Sequence, residues 1–285
     1  MPPVATLALL SRKDGQSPEL FSRYWRDVHG VLAARIPGFA SYIQHHLGPP
    51  LFPEGLRQLT GSCTSDAPWH GLAAVNFADE AARQGLIHSE VAAMIHEDER
   101  NLFKTSLLFN LESAASTLYE GRGRAEVQLV VLVKRAPQLS HTLFTAALNN
   151  CLATALAQAS AVYSVTLHDL SSGDPSQWNT AGVDHHQVDE HRVDALLQVC
   201  GGTIEALCAA LEQTVAQPGA SLHEVSECWQ LYPVDAMWTM VENHRPTSLG
   251  LRGLDALRTI EEAGANNQYS PGLLRCLYGA GVVGP

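Results

Sequence analysis

The sequence is poor in positive charge. Its 285 residues include 18 Lys and Arg against 29 Asp and Glu, which gives a formal net charge of −11. Proteins that bind nucleic acids or anionic membranes use basic surfaces to neutralise phosphate groups. The charge balance therefore argues against both kinds of partner.

Long apolar runs and targeting signals are also missing. No stretch reaches the ~20 apolar residues that a membrane-spanning helix needs. The first apolar run, residues 4–10, has no basic residue before it and is followed by charged residues, so it is a poor secretory signal. These features predict a cytoplasmic protein without a membrane segment.

Motifs for metals, nucleotides and serine hydrolysis are absent. The six cysteines lie far apart and none forms a C-x-x-C pair, so we expect reduced thiols and no zinc site. The chain has no Gly-rich phosphate loop, no G-x-S-x-G elbow and no H-E-x-x-H. We therefore expect an activity that needs no cofactor.

A repeated order of strands and helices predicts the fold. The pattern β-α-β-β-α-β over residues 4–113 recurs over residues 126–232, roughly 120 residues later. Pairing two such units buries the bare faces of both sheets. We predict an α+β chain in which two ferredoxin-like units form a pseudo-dimeric α/β barrel, which can pair again into a homodimer. The predicted division is a first unit at 1–118, a second unit at 119–235 and a C-terminal tail at 236–285 that packs on the barrel.

Histidines in the first unit are the leading candidates for chemistry. Trp25 and His29 are one turn apart on the first helix, and Tyr42, Gln44 and His46 share one face of the second strand. If that face looks towards the helix, the two imidazoles approach each other across a pocket with aromatic walls. Two such groups can exchange protons with a substrate near neutral pH. The alternative is that both histidines are hydrogen-bonded core residues.

The same residues resemble a known family. The stretches Phe21-x-x-Tyr24-Trp25-x-x-x-His29-Gly30, Ile36-Pro37-Gly38 and Tyr42-x-Gln44-x-His46 are similar to those of the EthD family, in the dimeric α/β-barrel superfamily. Residues 98–103 resemble its DE-x-N-F segment. The third strand departs from the family, with His70-Gly71 where an Asp often precedes the Gly. The resemblance implies a cofactor-free enzyme, such as a dehydratase of aromatic compounds, or an accessory protein in a degradation pathway.

These observations lead to one functional hypothesis. His29 and His46 form an acid/base pair in a dehydratase, lyase or isomerase, and the substrate is a small apolar, aromatic or cyclic compound with carbonyl or hydroxyl groups. Trp25, Tyr42 and Tyr24 shape the pocket, and Gln44 orients a substrate oxygen. The alternatives are a cofactor-free monooxygenase, a binding or delivery protein for a hydrophobic intermediate, and a haem protein.

Several other polar segments carry weaker expectations. Residues 184–191, with His185 and His186, are expected to form a solvated loop rather than a metal site. Residues 96–99 are expected to form a solvated helix face. If the tail covers the pocket, Arg245 or Arg252 binds the substrate. The second unit has only His168 near the place of His46, so we expect it to be a structural partner without a pocket of its own.

Overall fold

The computed structural model describes residues 4–61, 69–111, 116–120, 125–170, 178–217 and 222–279. The first unit has the predicted order of elements. Ser17 begins helix α1 by accepting a hydrogen bond from the amide of Leu20. This helix is continuous, and its segments are Pro18–Tyr24 (α-helical), Trp25–His29 (π-helical) and Gly30–Ala33 (α-helical). The other elements are strand β1 (Val4–Arg12), strand β2 (Phe39–Leu47), strand β3 (Gly71–Phe77), helix α2 (Glu80–Gly85), helix α3 (Glu90–Leu102) and strand β4 (Phe103–Leu111).

The second unit repeats this order and a tail follows it. Helix α4 also contains a π-helical turn, and its segments are His141–Ala147, Leu148–Ala153 and Thr154–Gln158. The other elements of the unit are strands β5 (Ser116–Glu120), β6 (Val127–Arg135), β7 (Val162–Asp169) and β8 (Ala195–Gly201), helix α5 (Ile204–Val215) and strand β9 (Ser226–Glu242). The tail contains strand β10 (Arg245–Pro246) and helices α6 (Ser248–Arg252), α7 (Leu254–Glu262) and α8 (Pro271–Tyr278).

Strand β9 joins the two units into one sheet. The hydrogen-bonded order is β4-β1-β3-β2-β9-β6-β8-β7-β5. Residues 226–233 of β9 pair with β6, and residues 234–241 pair with β2. At the far ends of the order, β4 pairs with β1 and β5 pairs with β7. The successive strands β4 and β5 thus make, at the two ends of the order, the same kinds of pairing that the two halves of β9 make in its middle.

The predicted fold class is confirmed, but the last strand differs from its prediction. The sequence pattern predicts the last strand at residues 222–232, but residues 222–225 form a helical turn and the strand continues to Glu242. The predicted boundary between residues 235 and 236 therefore falls inside β9, because one strand serves both units. The three-part division of the chain stays a prediction.

Apolar side chains form three layers. One layer lies between α1, α3 and the sheet of the first unit and includes Phe21, Phe77 and Ile95. A second lies between the helices and the sheet of the second unit. The third lies between the two halves of the sheet, where Leu9, Leu72 and other first-unit residues meet second-unit residues. The burial of this third layer and the strand pairing through β9 hold the two units together.

The tail packs on the first unit. Leu249 of α6 belongs to the apolar layer beside α1, and Arg35 donates hydrogen bonds to the carbonyls of Gly250 and Leu251. The amide of Leu254 donates to Oδ1 of Asp27 on α1 at 2.8 Å. These contacts place the tail on the outer face of α1.

The cysteines differ from the expectation of reduced thiols. Cys228 on β9 is disulfide-bonded, whereas Cys151, Cys200, Cys208 and Cys276 are free. Wide spacing in the sequence does not prevent two cysteines from meeting in the fold, so this part of the prediction is wrong. Stable disulfides are uncommon in the cytoplasm, and the cytoplasmic location stays a prediction. None of the helices in the described part of the chain has the length and apolar character to cross a membrane.

Candidate active site

The first unit contains a cavity of about 370 Å³ between its helices and its sheet. Its walls come from β1, β2, β3 and β4 on one side and from α1, α2 and α3 on the other. Most of the lining side chains are apolar, and the polar ones stand at a few places. The residues that line the cavity include Trp25, His29, Tyr42, Arg83, Glu99 and Trp178.

His29 lines the cavity and is held by a carboxylate. Its Nδ1 lies 2.9 Å from Oδ2 of Asp98 on helix α3, and its ring meets the Phe103 ring edge-on, with centroids 5.3 Å apart. Among the described residues, Nε2 has no hydrogen-bond partner. Because Asp98 occupies Nδ1 without lining the cavity, Nε2 is the nitrogen available to a bound molecule.

Asp98 is held in its charged form by the groups around it. Burial raises its pKa, but hydrogen bonds from His29 and Tyr24 outweigh burial and bring the pKa below its usual value. The Tyr24 hydroxyl donates to Oδ1 of Asp98, and this tyrosine does not line the cavity. An ionised carboxylate only accepts hydrogen bonds, so Nδ1 of His29 carries the proton in this pair.

Trp25 forms a wall of the cavity and is completely buried. It lies flat against β3, where a Cβ at Gly71 would stand 2.5 Å from Cζ3 of the indole. A Cβ at Gly30 would stand 2.5 Å from Nε2 of Gln44, so this glycine lets α1 approach β2. The π-helical turn begins at Trp25 and ends at His29, and such turns are common at functional sites.

His46 lies behind Trp25 instead of facing His29. The His46 and Trp25 rings are stacked with centroids 4.5 Å apart, and His46 is not among the residues that line the cavity. Nδ1 of His46 contacts the hydroxyl of Ser22 at 2.7 Å, and its Nε2 contacts Oε1 of Gln44 at 3.2 Å. Burial lowers its pKa to about 3, so the ring is neutral at pH 7. The expectation that both imidazoles face each other across the pocket is therefore wrong, because the indole fills the space between α1 and β2.

Tyr42 and Gln44 do point towards the helix, as the strand pattern predicts. Tyr42 lines the cavity, and burial raises its pKa to about 12. Gln44 is fully buried and does not reach the cavity, because its Nε2 donates to the backbone carbonyl of Trp25 and to the Tyr42 hydroxyl, each at 2.9 Å. Gln44 thus orients Tyr42, whereas a direct contact with a substrate oxygen was expected.

Residues 13–106 match the family model described as EthD domain. The first unit contains an EthD domain. A comparison with curated proteins gave no match.

Among solved structures, an anthrone oxidase-like protein is similar in fold to the whole chain, with a TM-score of 0.50 and 14% identity, covering 85% of this chain and 95% of that one. A protein of Fusobacterium nucleatum subsp. nucleatum, provisionally named a monooxygenase, has a TM-score of 0.49 and 7% identity, with 86% and 96% covered. Chlorite dismutase from Candidatus Nitrospira defluvii has a TM-score of 0.40 and 13% identity, with 82% and 91% covered.

The second half of helix α3 contributes more residues to the candidate site than the sequence predicts. Glu99 is 5% exposed and lines the cavity, and Asp98 holds His29, so the prediction of a solvated face for residues 96–99 is wrong for both. The sequence did contain a signal. Ile95, Asp98, Glu99 and Leu102 follow the i, i+3, i+4, i+7 spacing of a buried helix face, and the two apolar members are buried.

The segment with His185 is solvated in part, because Asp184, His186, Val188 and Asp189 are exposed whereas His185 is docked on the first unit. His185 is buried, and its Nδ1 contacts the carbonyl of Ser106 at 2.9 Å. His186 is exposed, as expected. The described residues contain no group of three or more metal-ligating side chains that could hold an ion.

Arg245 lies outside the site. It is exposed on β10, and neither it nor Arg252 lines the cavity. Arg252 instead binds Gln268 and stacks on Tyr278 within the tail. The guanidinium that does line the cavity belongs to Arg83, which donates to the carbonyls of Ala5 and Leu111.

Among its described residues, the second unit has no histidine in the places of His29 and His46. Strand register places Asp169 opposite Ala195, as His46 is opposite Gly71, so His168 corresponds to His45 and not to His46. Alternation along β2 predicts that His45 points away from His46, and it faces the interface between the two halves of the sheet, where its Nδ1 contacts Oε1 of Gln128 at 2.8 Å. The π-helical turn of α4 carries Leu148 and Leu152, both fully buried in the second apolar layer.

Proposed function

We propose that this protein is an enzyme in which His29 removes a proton from a small, largely apolar substrate held in the first-unit cavity. The substrate class is an aromatic or cyclic compound with a carbonyl or hydroxyl group. Loss of the proton then leads to elimination of water or to isomerisation. The single observation that carries the proposal is the His29–Asp98 pair, with Nε2 of His29 available inside a mostly apolar cavity.

The Asp98 carboxylate determines which ring nitrogen of His29 can act as the base. A carboxylate that accepts the Nδ1 proton leaves the lone pair on Nε2, which is the tautomer that a general base needs. An apolar cavity also keeps water away from the base and strengthens its electrostatic interactions.

Tyr42 supplies the second polar group. Its hydroxyl accepts a hydrogen bond from Gln44, and no acceptor for its own proton is present among the described residues. That proton can be donated to a substrate oxygen on which negative charge develops, which is the role of an oxyanion-stabilising donor. Tyr42 thus takes the place of His46 as the partner of His29, because His46 lies behind Trp25 and supports the indole and Gln44.

Hydrogen–deuterium exchange tests this proposal without knowledge of the natural substrate. The probe is 2-tetralone, a bicyclic ketone with acidic α-hydrogens, incubated with the protein in D₂O and followed by NMR. We expect the wild-type protein to accelerate exchange and His29→Gln to lose at least ~100-fold of that acceleration, the usual contribution of a general base. Val188→Ala, on an exposed side chain of the second unit, serves as the control.

Two outcomes count against the proposal. If the wild-type protein does not accelerate exchange at the ketone, proton abstraction in the cavity is contradicted. If His29→Gln keeps full activity, another group is the base. Binding of 2-tetralone without exchange in any variant supports the alternative of a binding or delivery protein.

A second candidate function is cofactor-free monooxygenation. The observation that favours it is the presence of one available base instead of the two that an elimination commonly uses, since His46 does not reach the cavity. In that reaction the deprotonated substrate passes electrons to dioxygen. An oxygen electrode distinguishes the two functions, because elimination and isomerisation consume no dioxygen.

A further inference from the structure

The cavity of the first unit is completed by one residue of the second. Trp178, in the segment before strand β8, lines the cavity, while the other lining residues lie between Thr6 and Asn110. The Trp178 side chain belongs to the apolar layer of the first unit and is 7% exposed. A large, flat side chain thus enters the first unit from outside it.

A buried carboxylate holds the Trp178 ring in place. Its Nε1 donates to Oε1 of Glu99 at 2.9 Å, and the Thr180 hydroxyl donates to Oε2 of the same carboxylate. The His96 ring lies against the indole, with centroids 4.2 Å apart. Because unsatisfied buried polar groups are costly, displacing the indole from the cavity wall would leave Oε1 of Glu99 without its donor.

The backbone beyond Trp178 is fixed to strand β4. Residue Asp184 bridges to β4, where its amide donates to the carbonyl of Lys104 and its carbonyl accepts from the amide of Ser106, each at 2.9 Å. Nε2 of His185 accepts a hydrogen bond from the amide of Thr180 at 3.0 Å. Both the Trp178 side chain and the backbone that follows it are therefore hydrogen-bonded to the first unit.

We propose that Trp178 determines the size of the molecule that the first-unit cavity accepts. This inference rests on the proposed function only in that the cavity is the binding site. A rigidly held indole sets a fixed limit to the cavity, and replacing it by a small residue opens a space that a further fused aromatic ring fills. The second unit thus acts on the site as a specificity element and not only as a structural partner.

Binding of two probes of different length tests the proposal. The probes are naphthalen-2-ol, with two rings, and anthracen-2-ol, with three, and their own fluorescence reports the dissociation constants. We expect Trp178→Ala to lower the ratio of the three-ring to the two-ring dissociation constant by about tenfold, because the extra ring buries its apolar surface in the new space. Trp178→Leu, which keeps more of the packing, should lower the ratio by about threefold.

The controls separate this inference from the proposed base. Val188→Ala should leave the ratio unchanged within about twofold, and so should His29→Gln, which alone loses deuterium exchange. A folded Trp178→Ala or Trp178→Leu with the wild-type ratio overturns the size-limiting role and leaves the base intact. If neither probe binds to the wild-type protein or to the variants, the cavity is not the binding site and both proposals fail.

Discussion

Nδ1 of His29 lies 2.9 Å from Oδ2 of Asp98, and this contact joins helix α1 to helix α3 across 69 positions of the sequence. The contact fixes the imidazole at the edge of an apolar cavity and decides which nitrogen faces it. The sequence identifies His29 from its position on the helix, whereas only the fold shows that Asp98 is its partner.

Replacing Asp98 tests the orientation of the base. In Asp98→Asn the amide can donate to Nδ1, which favours the wrong tautomer, so we expect deuterium exchange into 2-tetralone to slow by about 10²–10⁴-fold. The dissociation constant of naphthalen-2-ol should stay the same, since Asp98 does not line the cavity. Asp14→Asn, on a side chain that is 80% exposed, is the matched control. Equal exchange rates for Asp98→Asn and wild type would show that the pair has only a structural role.

Buried histidines predict how stability depends on pH. Burial lowers the pKa of His45 to about 4 and that of His46 to about 3, from 6.5 in the unfolded chain. Below pH 6.5 the unfolded chain therefore binds protons that the folded protein does not, so stability falls as the pH is lowered towards 4. Each histidine contributes a slope of about 1.4 kcal/mol per pH unit in that range.

Urea unfolding at a series of pH values checks this slope. The variant His46→Asn removes one of these groups and should lower the slope by about 1.4 kcal/mol per pH unit, whatever its stability at pH 7. An unchanged slope in His46→Asn would mean that His46 is protonated in the folded protein.

The close contact between strand β3 and Trp25 predicts a large effect at Gly71. A Cβ there would stand 2.5 Å from the indole, so Gly71→Ala must displace Trp25 and should cost about 1–3 kcal/mol of unfolding free energy. Gly272→Ala in helix α8 is the control, because its Cβ would meet nothing within 4 Å and alanine favours a helix. Chemical denaturation measures both. A Gly71→Ala protein as stable as wild type would contradict the packing of the indole on β3.

Arg245 should be dispensable for activity. It is exposed and does not line the cavity, so Arg245→Ala is expected to change deuterium exchange and probe binding by less than about twofold, as for most surface substitutions. A loss of probe binding in Arg245→Ala would show that the tail contributes to the binding site.

The fold could be predicted well because its signals are local. The residue pattern predicts a strand at 39–47, which are the bounds of β2, and the pair Ser17-Pro18 predicts a helix start where α1 begins. The internal repeat then gives the second unit. The sequence predicts too early an end for β9, because its second half, residues 234–241, pairs with β2 of the other unit. No local pattern in the sequence reports such a long-range contact.

The candidate site could be predicted only in part. Alternation along β2 correctly places Tyr42, Gln44 and His46 on one face, but it does not show that this face looks towards α1 or that the Trp25 ring fills the space in front of His46. The role of Trp178 depends on the docking of a distant segment, which leaves no periodic signal. Small-molecule binding, pairing into a homodimer and independence from a cofactor stay predictions.

The tautomer of His29 is the most direct test of the central claim. Long-range ¹H–¹⁵N NMR of the ¹⁵N-labelled protein, with His29→Gln used to assign the signal, reads the protonation of each ring nitrogen. We predict that the neutral imidazole has its proton on Nδ1 and a bare Nε2, with the Nε2 shift responding when naphthalen-2-ol enters the cavity. A proton on Nε2 with a bare Nδ1, or an Nε2 signal that ignores the bound probe, would contradict the assignment of His29 as the base.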